Sequence, residues 1–151
     1  MTLSFIDQLT QALGCQVNQY NRSTLYFHLE NFLITLHLPQ ASQKFEDDAA
    51  FLHISFGLVT AGRTLRIYRL LLEANLTVYA QDQAQLGINP EDDNIILISR
   101  IPIDGDFNAY RIAELAYHYV EHGRYWKNTL MECNDDMYED LCTGHYLWIR
   151  V

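Results

Sequence analysis

Leu86-Gly-Ile-Asn-Pro-Glu-Asp-Asp-Asn-Ile-Ile-Leu-Ile-Ser-Arg-Ile-Pro-Ile-Asp-Gly105 decides how the chain folds. Its acidic centre, Asn89 to Asn94, is rich in turn formers and separates a brief strand at Leu86–Ile88 from a strand at Ile95–Ile101. Pro102 has no N–H to give a sheet ladder and stops the second strand. Asp104-Gly105 then turns the chain, and Asp106 can cap a helix. From Phe107 to about Leu130 the stripe Ile112, Leu115, Tyr119, Trp126 and Leu130 follows the helical period and predicts the longest helix of the chain. The stretch is thus a strand pair delivering the chain into a helix.

Upstream, from Arg63, Leu65, Tyr68, Leu72 and Leu76 form one stripe with Ile67 and Leu71 beside it. A helix apolar around more than half its circumference exceeds what one sheet face covers, so part of it is expected to pack against a second copy of the chain. Before Gly62, Leu52, Ile54, Phe56 and Leu58 alternate with His53, Ser55 and Gly57, which predicts a strand with one apolar face. Leu25, Phe27 and Leu29, then Phe32, Ile34, Leu36 and Leu38, alternate on either side of Glu30-Asn31 and predict a β-hairpin. At the start, Leu3, Ile6, Leu9 and Leu13 recur at helical spacing between a Thr2 or Ser4 cap and Gly14, giving a short amphipathic helix. The expected order is α-β-β-β-α-β-β-α, one α+β domain with a twisted antiparallel sheet and helices.

The order and the wording of three stretches resemble the class I (CesT-like) type III secretion chaperones, the Tir chaperone family. Arg69-Leu-Leu-Leu-Glu-Ala-Asn-Leu76 is similar to that family's second-helix motif of paired leucines before Ala-Asn-Leu. The run from Ile96 through Arg100-Ile-Pro-Ile-Asp-Gly105 is similar to its strand, Arg, apolar, Pro, apolar, Asp signature, and Tyr125-Trp-Lys-Asn-Thr-Leu130 to the close of its last helix. The resemblance covers roughly residues 3 to 130, so residues 1–130 are taken as the domain and 131–151 as a C-terminal extension, acidic at Glu139-Asp140 and apolar again at Tyr146-Leu-Trp-Ile149.

The resemblance implies a homodimer formed largely through the second helix, with Ile67, Leu71, Leu72 and Ala74 as expected interface residues. It also implies a partner that is a secreted effector, whose N-terminal segment wraps the dimer in extended form and so stays soluble and secretion-competent. Expected effector contacts are Leu3, Ile6 and Leu9 of the first helix, and Leu25, Phe27, Ile34 and Leu36 of the first strands. An exposed sheet edge accepting an added strand, beside shallow apolar grooves, is a physically sufficient way to hold such a segment. A regulatory member of the family, which binds an anti-activator and couples secretion to transcription, is the alternative; Trp126-Lys-Asn-Thr-Leu130 with Cys133 and the ending Ile149-Arg-Val151 are loosely similar to that type.

Composition narrows the other classes. The 151 residues are 49% hydrophobic, enough for one sizeable core, and the formal charge of −9 repels phosphate backbones, so no nucleic acid partner is expected. The longest uncharged apolar runs, such as Phe32–Leu38, are far below the roughly 18 residues of a membrane span. The N-terminus lacks a basic region and meets Asp7 at once, so a cytoplasmic protein, not bound to a membrane, is expected. Cys15, Cys133 and Cys142 share no short spacing and read as reduced thiols.

One catalytic pattern must be weighed. His118-Tyr-Val-Glu121-His122 spells the H-x-x-E-H of inverted zinc metallopeptidases, with two histidines one turn apart and a glutamate to activate water. Such a site needs a third ligand, and none of Glu132, Asp135, Asp136 or Glu139 is fixed by spacing, so a solvated helix flank is the expectation and a small zinc hydrolase the remote alternative. His28, His37 and His53 sit opposite the apolar sets of their strands and read as polar-face residues. No thiol nucleophile, phosphate loop, cofactor or catalytic residue is expected.

Overall fold

The structure is a computed structural model that describes residues 4–39, 49–59, 62 and 64–131. Helix α1 (Phe5–Leu13) starts where the Ser4 hydroxyl accepts the Asp7 N–H, and ends at Gly14, whose φ of 68° is open to glycine without a Cβ penalty. Strands β1 (Asn18–Asn21), β2 (Thr24–Leu29), β3 (Phe32–His37) and β4 (Ala49–Gly57) follow, then α2 (Thr64–Ala74). A π turn (Asn75–Tyr79) and a 3₁₀ turn (Ala80–Asp82) continue α2 into β5 (Ala84–Ile88), β6 (Ile95–Pro102) and α3 (Ala109–Tyr125). A second π turn runs over Trp126–Met131.

The six strands form one sheet in the order β1-β2-β3-β4-β6-β5, with every neighbouring pair antiparallel. The hairpin expected at Glu30-Asn31 is a two-residue turn between Leu29 and Phe32, with both turn residues at positive φ. Strand β6 ends at Pro102, as its missing N–H requires. Two expectations are corrected. A strand precedes the hairpin, for Asn-Gln-Tyr-Asn pairs with β2 although its own pattern is polar. And α3 is capped by Asn108, which accepts the Arg111 N–H, because Phe107 stacks on Phe5 at 5.9 Å and keeps the turn open two residues longer than an Asp106 cap would.

Strand burial alternates throughout, and the buried sets of all strands except β1 join α1, α2 and α3 in one core. Helices therefore line one sheet face only. Gly123 is a point of close approach of α3 to the sheet: a Cβ there would lie 2.9 Å from the Phe56 ring and 3.0 Å from that of Phe32. Arg124 anchors the end of α3 to the hairpin turn through Glu30 at 2.9 Å. No described helix is long and apolar enough to cross a membrane. Residues 132–151 of the expected extension lie outside the described residues.

Candidate functional site

Helix α2 divides its apolar residues between two faces. Ile67, Leu70, Leu71 and Ala74 are buried in the core, whereas Leu65 and Leu72, with Leu76 in the π turn that continues the helix, keep 84%, 69% and 80% of their surface exposed. These three are spaced seven and four residues apart and form one stripe. It is flanked by the Arg69–Glu73 pair at 3.2 Å. Three exposed leucines in a row on one helix are a surface that water disfavours and a partner surface relieves. Of the expected interface residues, Leu72 lies on this outward stripe. Ile67, Leu71 and Ala74 face the core, because the inner half of the helix must cover β5 and its surroundings.

The sheet divides in the same way. Leu25, Phe27, Ile34 and Leu36, with Leu9 of α1, have at most 2% of their surface exposed. Their side chains belong to the chain's own core. Alternation groups residues by face but does not say which face the helices cover. Ile6 is half-buried against the core, and Leu3 lies outside the described residues. The open face carries Tyr26, Leu33, Thr35, Phe51, Ile96 and Ile98, mixing apolar and polar side chains.

His28, His37 and His53 do lie on this open face. His37 and His53 meet edge to face at 4.5 Å, and His53 is lowered to about 4, first by partial burial and then by the neighbouring His37. Burial lowers His37 as well. Both rings are therefore neutral near pH 7. At the far edge Tyr20 of β1 is 78% exposed.

The two histidines of the H-x-x-E-H pattern have separate environments. His118 is exposed, whereas His122 is buried and its Nδ1 accepts the Tyr79 hydroxyl at 3.0 Å. Tyr79 in turn accepts the indole N–H of Trp126 at 2.9 Å. Burial, then the nearby His118, lowers His122 to about 4, and burial raises the Tyr79 hydroxyl well above its ordinary range. This chain of bonds satisfies three polar groups inside the core and explains the His122 position structurally. Glu121 is exposed, and no trio of His, Cys, Asp or Glu converges on one point among the described residues. A cleft of about 360 Å³ beside His118 is lined by Asp82, Ser99, Arg100, Arg111 and Tyr119. Burial pushes the Cys15 thiol up, away from the thiolate a nucleophile needs.

The model of the Tir chaperone protein (CesT) family matches residues 4–127. The chain belongs to that family. That family is one of type III secretion chaperones. No curated protein sequence matches it. Among solved structures, the ExsC–ExsE complex contains a chain that superposes with a TM-score of 0.62 at 13% identity, over 85% of this chain and 95% of that one. The HopA1–SchA chaperone–effector complex gives 0.59 at 15% identity, over 82% and 91%. The heterodimeric ExoU–SpcU complex from the type III secretion system of Pseudomonas aeruginosa gives 0.55 at 17% identity, over 83% and 96%. At such identities these likenesses establish the fold, and the CesT family match supplies the classification.

Sequence reading located the CesT motif Glu73-Ala-Asn-Leu76 without assigning work to Asn75. Its side chain donates to the Leu86 carbonyl at 2.9 Å and accepts the Leu86 N–H. Nothing in the periodicity signals this, because Asn75 is not part of the apolar stripe.

Proposed function

We propose that this protein is a cytoplasmic type III secretion chaperone that acts as a homodimer and catalyses no reaction. It binds the N-terminal chaperone-binding segment of one or more secreted effectors and keeps that segment soluble and secretion-competent. The observation that carries this reading is the outward leucine stripe of α2 on a chain of the CesT family, which gives the dimer a face without using the sheet. The mixed open face of the sheet and the side of β1 that no described strand pairs then remain for an extended segment. Related folds in a chaperone–effector complex and in a secretion-system heterodimer support the same use. On this reading residues 1–130 form the chaperone domain and residues 131–151 its extension.

The regulatory form of this function would use the same surfaces and differ in the protein captured, an anti-activator besides a secreted protein. Native mass spectrometry tests both forms, on the purified protein alone and after co-expression with candidate effector N-terminal segments or a candidate anti-activator. A metal-free dimer that gains one segment is the expected result. A zinc-loaded monomer that captures none would refute the reading.

A further inference from the structure

We infer that Asn75 closes the β5 edge of the sheet, so that β1 is left as the edge to which a partner strand can be added. A sheet with two free edges can be extended at either, and an edge is blunted when its outward N–H and C=O groups find other partners. Strand β5 is the last in the order, and Leu86 is its central residue. Leu86 lies opposite Leu97 of β6, yet its own N–H and C=O both bond to Asn75 and thus point away from the sheet.

A primary amide offers one donor and one acceptor side by side, which is what one residue of an added antiparallel strand would offer at this place. Among the side chains of this length only asparagine does so: aspartate has no donor, and leucine has neither group. Asn75 is held in position from both sides. Ala74 before it is buried in the core, and its own carbonyl accepts the Ala80 N–H as the π turn begins. The wider turn starts at the residue whose side chain reaches across to β5.

The other edge has no such device among the described residues. Strand β1 is polar, Tyr20 stands out from it, and no described side chain bonds both backbone groups of one of its residues. Among the described residues the sheet is thus closed at one end and open at the other. An extended peptide that adds as a strand is directed to β1, beside β2 and the open face, and away from α2. The biological use of this asymmetry rests on the chaperone reading above, whereas edge closure itself does not.

The test therefore needs no effector. Amide hydrogen exchange and sedimentation velocity are measured on the full chain, wild type and Asn75→Ala, across a range of protein concentrations. The Leu86 amide is protected in the wild type. In Asn75→Ala it exchanges about tenfold faster or more, while Gln85 and Gly87 keep their protection, and species larger than any in the wild type grow with concentration. A further change of Ile88→Pro in that background, which removes another outward N–H of β5, returns the wild-type size distribution. If Asn75→Ala does not fold, Asn75→Asp serves instead: it keeps the acceptor for Leu86, loses the donor, and shows Leu86 protected but the larger species present. A Leu86 amide that exchanges freely in the wild type overturns the inference. Faster exchange without any larger species overturns it too, since helix α2 rather than the amide would then be covering the edge.

Discussion

Leu72→Asp separates the two faces of α2 and tests the proposed dimer directly. Burial of a whole leucine side chain is worth about 2 kcal/mol. Leu72 retains 69% of its exposure in the single chain, so roughly 1.4 kcal/mol of that remains to be gained at an interface. A two-fold dimer counts the residue twice, giving about 2.8 kcal/mol, or roughly a hundredfold in dissociation constant. Aspartate adds the desolvation of two carboxylates brought near each other, so a hundredfold is the lower bound. Sedimentation equilibrium over a thousandfold concentration range reads this constant. The folded monomer should be undisturbed, because Leu72 is outside the core, and its circular dichroism and melting behaviour at low concentration should match the wild-type monomer. Ile67→Ala is the contrast: it opens a cavity and costs about 2–4 kcal/mol of folding stability. If Leu72→Asp dimerises as tightly as wild type, the leucine stripe is not the interface.

Three further outcomes follow from the core and the caps. Gly123→Ala gains about 1 kcal/mol of helix propensity but drives a methyl into two buried rings, and a net loss of about 1–2 kcal/mol in urea unfolding is expected, whereas unchanged or increased stability would show that Phe32 and Phe56 can yield. His122 is held near 4 in the folded state and returns to about 6.5 on unfolding, so the unfolded chain takes up the proton first. Stability should therefore fall as pH drops from about 6.5 towards 4, and His122→Asn, which keeps an acceptor for Tyr79, should make that fall shallower; an equal slope would assign it to other groups such as His53. Ser4→Ala and Asn108→Ala should each cost about 1 kcal/mol by removing a helix cap, measured by thermal unfolding, and no loss would mean that solvent satisfies the freed N–H equally well.

Much of the architecture is legible in local patterns. Glu30-Asn31 between alternating runs specifies a tight hairpin, and the acidic turn before Ile95 specifies the β5–β6 pair, because both signals are carried by a few adjacent residues. Strand β1 is not legible, since Asn18 to Asn21 have no apolar alternation and owe their conformation to pairing with β2. The assignment of faces is the other gap. The spacing of Leu65, Ile67, Leu71 and Leu72 announces a helix with too much apolar surface, but which half turns inward depends on how the helix lies against β5. The same holds for Leu25, Phe27, Ile34 and Leu36, whose alternation is clear and whose covering layer comes from α1 and α3, distant in sequence. The Asn75 clasp and the His122–Tyr79–Trp126 chain are likewise pairings across 11 to 47 residues that no local window contains.

The contact between α1 and α3 has a consequence for how the molecule is made. Tyr117 of α3 donates to the Leu13 carbonyl at 2.6 Å across 104 residues, and Leu9 and Leu13 are covered only in the finished core. Strands β1 to β4 pair with their neighbours in sequence and can form early, whereas α1, which precedes all the described strands, waits for α3, which follows them. Through most of its own synthesis the chain thus carries an amphipathic helix without its docking partner. The α1–α3 contact should form after the sheet has assembled, with substitutions at Leu9 slowing refolding less than they speed unfolding.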